Sequence, residues 1–207
     1  MNFQGRTLLL VASLMLPSAV TYGQTVDTTG ATTCDTRGFT LDRDPKGTNI
    51  RSAPRADAPI IGQLRPRDYL EHDKRSGVLV GQAFSIIGSR NGWLLIRKAE
   101  ADVDKEGKPF GAFEGPGWVS GRLVGTQLGA WTLRAAPRHD APILAQMAGD
   151  NWGPDSATVI EVHGCLDKYV DVTVIPYKAQ QPLRGWSWMP CTSELTTCDR
   201  SGDDLDR

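Results

Sequence analysis

The sequence predicts an all-β protein, two tandem small β-barrels behind a cleaved leader. Three observations predict it. Thirteen prolines and twenty-two glycines divide the 207 residues into short segments. Beyond the leader, no run of helical apolar period reaches a dozen residues, which leaves strands and turns. A fifteen-residue stretch also occurs twice, 83 positions apart. A repeated sequence unit implies a repeated structural unit.

The leader comes first. Arg6 precedes an apolar run over residues 8–16, which is short by transmembrane standards. Pro17 breaks the run, and Ser18, Ala19, Thr21 and Gly23 place cleavage after Ala19 or Gly23. Residues 1–23 are therefore expected to be a signal peptide, which puts the mature chain in the periplasm or outside the cell. No cysteine follows the run, so a lipid anchor is not expected. The formal charge is −1, and removing Arg6 with the leader makes it slightly more negative. So balanced a chain has no electrostatic footprint for nucleic acid or an anionic membrane.

The repeat organises the rest. Residues 50–64 read IRSAPRADAPIIGQL and residues 133–147 read LRAAPRHDAPILAQM, with nine of fifteen positions identical. Arg51 matches Arg134, Pro54 matches Pro137, Arg55 matches Arg138, Asp57 matches Asp140, and Pro59 matches Pro142. Further on, Trp93 aligns with Tyr169 at an offset of 76, and Gly117-Trp118 with Gly185-Trp186 at 68. The second copy is thus shorter in two places, and length changes of this kind collect in loops.

Each element follows in order. Residues 49–51 and 132–134 are short extended runs. Ser52-Ala53-Pro54 and Ala135-Ala136-Pro137 then turn the chain, because proline fixes φ and biases its predecessor away from helix. Strands resume at residues 60–64 and 143–147. Residues 84–88 form the next strand, Asn91-Gly92 makes a tight turn, and residues 93–97 return as a hairpin partner. Trp118-Val119 closes the sheet. Strands this few and short cannot bury a face as an open sheet, so closure into a barrel is expected.

The order N-I-R-S-A-P, I-I-G-Q-L, F-S-I-I-G-S-R-N-G-W-L-L-I-R and G-W-V-S-G-R-L resembles the bacterial SH3 (SH3b) family. The first copy, residues 34–125, carries all four blocks. The second, residues 126–192, keeps the first block and Gly185-Trp186, but has Lys168-Tyr169 in place of the hairpin Gly-Trp. Residues 193–207 are left as a tail containing Cys198. The resemblance implies two partly open, five-stranded SH3-like barrels. Many family members accompany cell-wall enzymes and bind peptidoglycan peptides or protein ligands, although a fold alone does not fix a function.

Four cysteines, Cys34, Cys165, Cys191 and Cys198, suit two disulfides in an exported protein, with three possible pairings. Cys165 with Cys191 is favoured because both fall in one repeat; closing that loop would stabilise a module by about 3.5 kcal/mol. Cys34 with Cys198 would then tie the ends together. Zinc is disfavoured, because no Cys-x-x-Cys or nearby histidine pair exists.

Catalysis is not expected. His72, His139 and His163 are the only histidines, no Gly-x-Ser-x-Gly elbow occurs, and no nucleophile–base pair is visible. The loop at Asp102, Asp104 and Glu106 resembles the start of a calcium loop. Its twelfth place holds Phe113, and the similar run from Asp42 has Ala53 there. No cofactor is expected. Trp93, Trp118 and Trp186 suit the core or a barrel end, and Trp131 suits the junction between modules. Trp152, in a polar turn-rich loop, is a candidate ligand anchor, and Trp188 joins it as a residue without a counterpart in the first copy. Arg51 and Arg134 recur in both copies. A shared structural task is favoured for them, with carboxylate binding as the alternative. The function expected is non-catalytic binding of a cell-wall peptide or an envelope protein. The alternative is an inhibitor that plugs an exported enzyme with the acidic insert at residues 100–114.

Overall fold

The computed structural model describes residues 25–69, 73–103, 109–130, 132–146, 157–176, 181–188, 190 and 194. The expected leader, His72, Trp131, Trp152, Cys191, Cys198 and residues 195–207 lie outside the described residues.

The chain is all-β, and its sheets are antiparallel. The first half contains β1 (Thr36–Thr40), β2 (Thr48–Arg51), β3 (Ile60–Leu64), β4 (Asp68–Tyr69), β5 (Leu79–Val80) and β6 (Ala83–Arg90). It continues with β7 (Trp93–Arg97), β8 (Asp102–Val103), β9 (Pro109–Phe110), β10 (Gly117–Ser120) and β11 (Val124–Gly125). The second half contains β12 (Thr132–Arg134), β13 (Ile143–Gln146), β14 (Ala157–Leu166), β15 (Tyr169–Pro176) and β16 (Leu183–Trp188). Among the described residues no helix is long and apolar enough to cross a membrane.

One strand order occurs twice. The larger sheet runs β11-β1-β6-β7-β10-β2-β3, and the smaller runs β13-β12-β16-β15-β14. Read from its other edge, the smaller sheet repeats the β6-β7-β10-β2-β3 portion of the larger. Its strands are those the repeat pairs in sequence. Among the described residues both sheets are open, each with two unpaired edges, rather than the closed barrels expected. The inserts make separate two-stranded ribbons, β4 with β5 and β8 with β9.

Side-chain alternation explains the strands. Val170, Val172 and Val174 of β15 point inward and are fully buried, while Tyr169, Asp171 and Thr173 point outward. That is the period of two a half-buried strand requires. Phe84 and Ile86 do the same on β6. Each such side chain contributes about 1.5–3 kcal/mol relative to an exposed one. The hairpin at Asn91-Gly92 forms as expected, with φ of 51° and 79°, and Asp167 adopts 50° at the matching place in the second half. Asparagine, aspartate and glycine tolerate that left-handed conformation best.

The halves meet through β14. Its residues pack on β6, β7 and the turn at Gly121–Leu123, and one buried apolar cluster includes Phe84, Ile86 and Val119 together with Val162, Val170 and Val172. Contact is close enough that a Cβ on Gly121 would lie 1.8 Å from the Val162 carbonyl oxygen. Ser89 and Cys165, which hold equivalent places beside the two hairpin turns, touch directly: the Cys165 amide donates to Ser89 Oγ at 2.9 Å.

The disulfide corrects the expected pairing. Cys34 is bonded to Cys165, with Cα atoms 5.8 Å apart and 131 residues between them in sequence. The pairing of Cys165 with Cys191, and with it the link from Cys34 to Cys198, is overturned. The reason is the junction itself. Residues 33–35 run beside the β14–β15 turn, where the Asp35 amide donates to the Asp167 carbonyl and the Asp167 amide to the Thr33 carbonyl, both at 2.8 Å. That ladder brings Cys34 onto Cys165. Loop length within one repeat favoured Cys191, but the packing of one half against the other decided the partner.

Candidate ligand-binding face of the second half

The proline turn is built identically in the two halves. Arg51 Nη1 donates to the Ala58 carbonyl at 2.7 Å, and Arg134 Nη1 donates to the Ala141 carbonyl at 3.0 Å. The Ser52 amide donates to Pro59 and the Ala135 amide to Pro142, at 3.0 and 2.9 Å. Ala58 and Ala141 are each 2% exposed. The guanidinium thus crosses the turn and fixes its far side. These contacts perform the shared structural task expected of the pair, and Arg134 is itself buried.

Opposite these arginines stand two tryptophans. Trp118 pairs with Arg51 across β10 and β2, and Trp186 pairs with Arg134 across β16 and β12. In the first half the chain covers its own tryptophan. The Asp27 amide donates to the Ser52 carbonyl at 2.8 Å, and Trp118 Nε1 donates to the Asp27 carbonyl at 2.8 Å. Arg90 lies over the indole with Cζ 5.7 Å from the ring centroid, a cation–π arrangement. It also binds the Asp27 carboxylate at 2.9 Å and donates to the Thr29 carbonyl. Trp118 is fully buried as a result. The Arg90 guanidinium, helped by the Thr29 amide, lowers the Asp27 pKa from 3.8 to about 2. Beyond this strap, Thr32 Oγ1 reaches both Ser89 Oγ at 2.7 Å and the Cys165 carbonyl at 2.8 Å.

The same ledge in the second half carries no such strap among the described residues. Trp186 is half-buried, and Ala135, in the place of Ser52, is exposed. Leu166 stands where Arg90 does, directly before the hairpin turn, and is 37% exposed. Across the strand from Trp186 is Asp171. Arg184 grips it with two hydrogen bonds of 3.1 and 2.7 Å, which raise the Arg184 pKa. Trp188 lies two residues along on the same face, half-buried, opposite Tyr169, and its ring is 6.4 Å from His139. Of the four ligand candidates, Trp188 and Arg134 therefore lie around one aromatic face, and Arg51 belongs to the covered ledge. Trp186, expected like Trp118 in the core or at a barrel end, is half-buried where Trp118 is fully buried; the burial of Trp118 depends on residues 27–30, which the repeat does not include.

A polar group near this face also bears on chemistry. His163 Nε2 lies 2.7 Å from Thr173 Oγ1, and His163 Nδ1 lies 3.6 Å from Glu161 Oε1. A hydroxyl, an imidazole and a carboxylate in that order make a base–nucleophile series. However, Thr173 is a mid-strand residue opposite Glu161 on one side and Arg184 on the other. Ladder pairing occupies the main chain that would have to supply oxyanion donors. The Asp42 and Asp44 carboxylates cap their own turn, accepting from the Asp44 and Lys46 amides at 2.9 Å each. Of the acidic insert's carboxylates at 102, 104 and 106, none has a described side chain.

Glu194 was missed by sequence reasoning. Its carboxylate accepts from the Gly81 amide at 2.6 Å and pairs with Arg67. Burial pushes its pKa up against the opposing pull of both partners. The contact anchors residue 194 to the first half, and no local motif announces a partner 113 residues away.

No protein-family model matches the chain, and no curated protein or solved structure is significantly similar to it.

Proposed function

We propose that the mature chain is a non-catalytic, exported binding protein made of two SH3b-like modules. Its ligand is a peptide of the cell wall or an envelope protein. The half-buried aromatic face around Trp186 and Trp188, set beside its fully covered twin, carries this reading. Large aromatic side chains bury much area at little entropic cost and are frequent binding anchors. A disulfide between Cys34 and Cys165 suits an oxidising compartment. The ladder pairing around Thr173 supports the absence of catalysis.

Sedimentation with purified peptidoglycan, together with cross-linking in intact envelopes, tests the proposal. The mature protein is expected to sediment with the wall or to cross-link to one envelope protein. Full recovery in the supernatant with no cross-linked partner sinks it. Release of muropeptides on incubation would sink the non-catalytic part.

The inhibitor reading draws on one observation: the β8–β9 ribbon of the insert belongs to neither main sheet. An inhibitor's plug would be built on a ribbon of this separate kind. Deleting the insert should then abolish inhibition of a co-purifying hydrolase, and unchanged inhibition would remove that reading.

A further inference from the structure

We infer that the ledge of the second half binds a turn-forming segment of another protein chain, laid over Trp186 as residues 27–30 lie over Trp118. The inference rests on the binding role proposed above and names the chemistry of its ligand.

The occupied ledge shows what such a site holds. The strap turns at Thr29-Gly30, where the Ala31 amide donates to the Thr28 carbonyl, and it is gripped at four points, three of them main chain: the Asp27 amide on the Ser52 carbonyl, the Asp27 carbonyl on the Trp118 indole and the Thr29 carbonyl on Arg90. Main-chain grips accept any sequence that adopts the same turn. The counterparts of the first two persist in the second half, as the Ala135 carbonyl and the Trp186 indole N–H. Among the described residues neither has a hydrogen-bond partner. They stand beside an aromatic ring and an exposed alanine, with the matching turn locked beneath by Arg134.

The grips made by Arg90 have changed, and they set the specificity. Arg90 holds the Asp27 carboxylate at 2.9 Å, whereas its counterpart Leu166 is apolar and 37% exposed. A carboxylate placed there loses the guanidinium that Arg90 supplies in the first half, while an apolar side chain buries against the leucine. The ligand is therefore a turn-forming segment with an apolar residue at the position that Asp27 holds in the strap.

The probes are two synthetic nonapeptides. One has the sequence of residues 25–33, TVDTTGATT, and the other replaces its aspartate with leucine. Each is titrated into the full mature protein, and binding is read from the indole and amide NMR signals of Trp186 and Ala135. The leucine peptide is expected to bind about tenfold more tightly than the aspartate peptide. Leu166→Arg, a surface substitution, should reverse that order, and Trp186→Ala should remove binding of both. No movement of the Trp186 signals at millimolar peptide overturns the inference. So does a preference that Leu166→Arg leaves unchanged. Wall sedimentation or cross-linking without peptide binding sinks the ledge and leaves the binding role standing. Peptide binding without either sinks the wall and envelope ligands alone.

Discussion

Trp118 and Trp186 hold the same place in two copies of one strand order, across from Arg51 and Arg134. The first is sealed under the chain's own residues 27–30, and the second is half-open. A duplicated fold supplies two equal ledges, and segments outside the repeat decide whether a ledge is part of the core or part of the surface. The same contrast runs through the neighbours. Ser52 is buried where Ala135 is exposed, Leu95 is buried where Asp171 carries an ion pair, and Arg90 is engaged where Leu166 is free of the strap.

Substituting the two tryptophans should break the symmetry most visibly. Trp118→Ala removes a fully buried ring and is expected to cost about 3–5 kcal/mol. Trp186→Ala, from a half-exposed place, should cost less than about half of that. Urea denaturation of both variants measures the gap; equal losses would mean that the ledges are equally buried. Next in size is the link between the halves. Replacing Cys34 and Cys165 together by alanine is expected to cost about 2–4 kcal/mol. Non-reducing peptide mapping should first find those two cysteines joined, and a Cys165–Cys191 peptide would contradict the junction.

The arginines sharpen what the halves share. Arg51→Met and Arg134→Met each lose a charge-assisted bond to a turn carbonyl, at about 1.5–3 kcal/mol. The buried Arg134 should show the larger loss. A loss at only one site would show that the two turns are not held alike.

The smallest effect is one of pH. Asp27 has a folded pKa of about 2 against an ordinary 3.8, so the folded chain binds this proton less tightly than the unfolded one. The contribution of Asp27 is complete above the ordinary value and is lost as pH falls through the folded one. Acid should therefore loosen the strap, and added salt should weaken the Asp27–Arg90 pair at any pH. Asp27→Asn should remove this dependence from the Trp118 signals, and Trp186 should not respond to it.

Much of the architecture was legible because local chemistry specifies it. β3 and β7 begin and end where alternation and Asn91-Gly92 place them, and the repeated proline turn gave both halves their common frame. Legibility fell where a structure depends on distant packing. β1, Thr36–Thr40, escaped notice because it lies between β6 and β11 and shows no clean alternation. The Cys34–Cys165 bond depends on how one half docks on the other, which residues inside a repeat do not encode. For the same reason the Gly-Trp motif does not separate Trp186 from Trp118: the difference lies in a strap some 90 residues before Trp118.

Hydrogen exchange of the indole N–H groups, followed by NMR in the mature protein, tests the contrast most directly. Trp118 Nε1–H, bonded to the Asp27 carbonyl and buried, should exchange only when that ledge opens. The Trp186 indole should exchange at close to the rate of a free one. Equal protection of the two would contradict an open second ledge, and rapid exchange at Trp118 would contradict the covered first one.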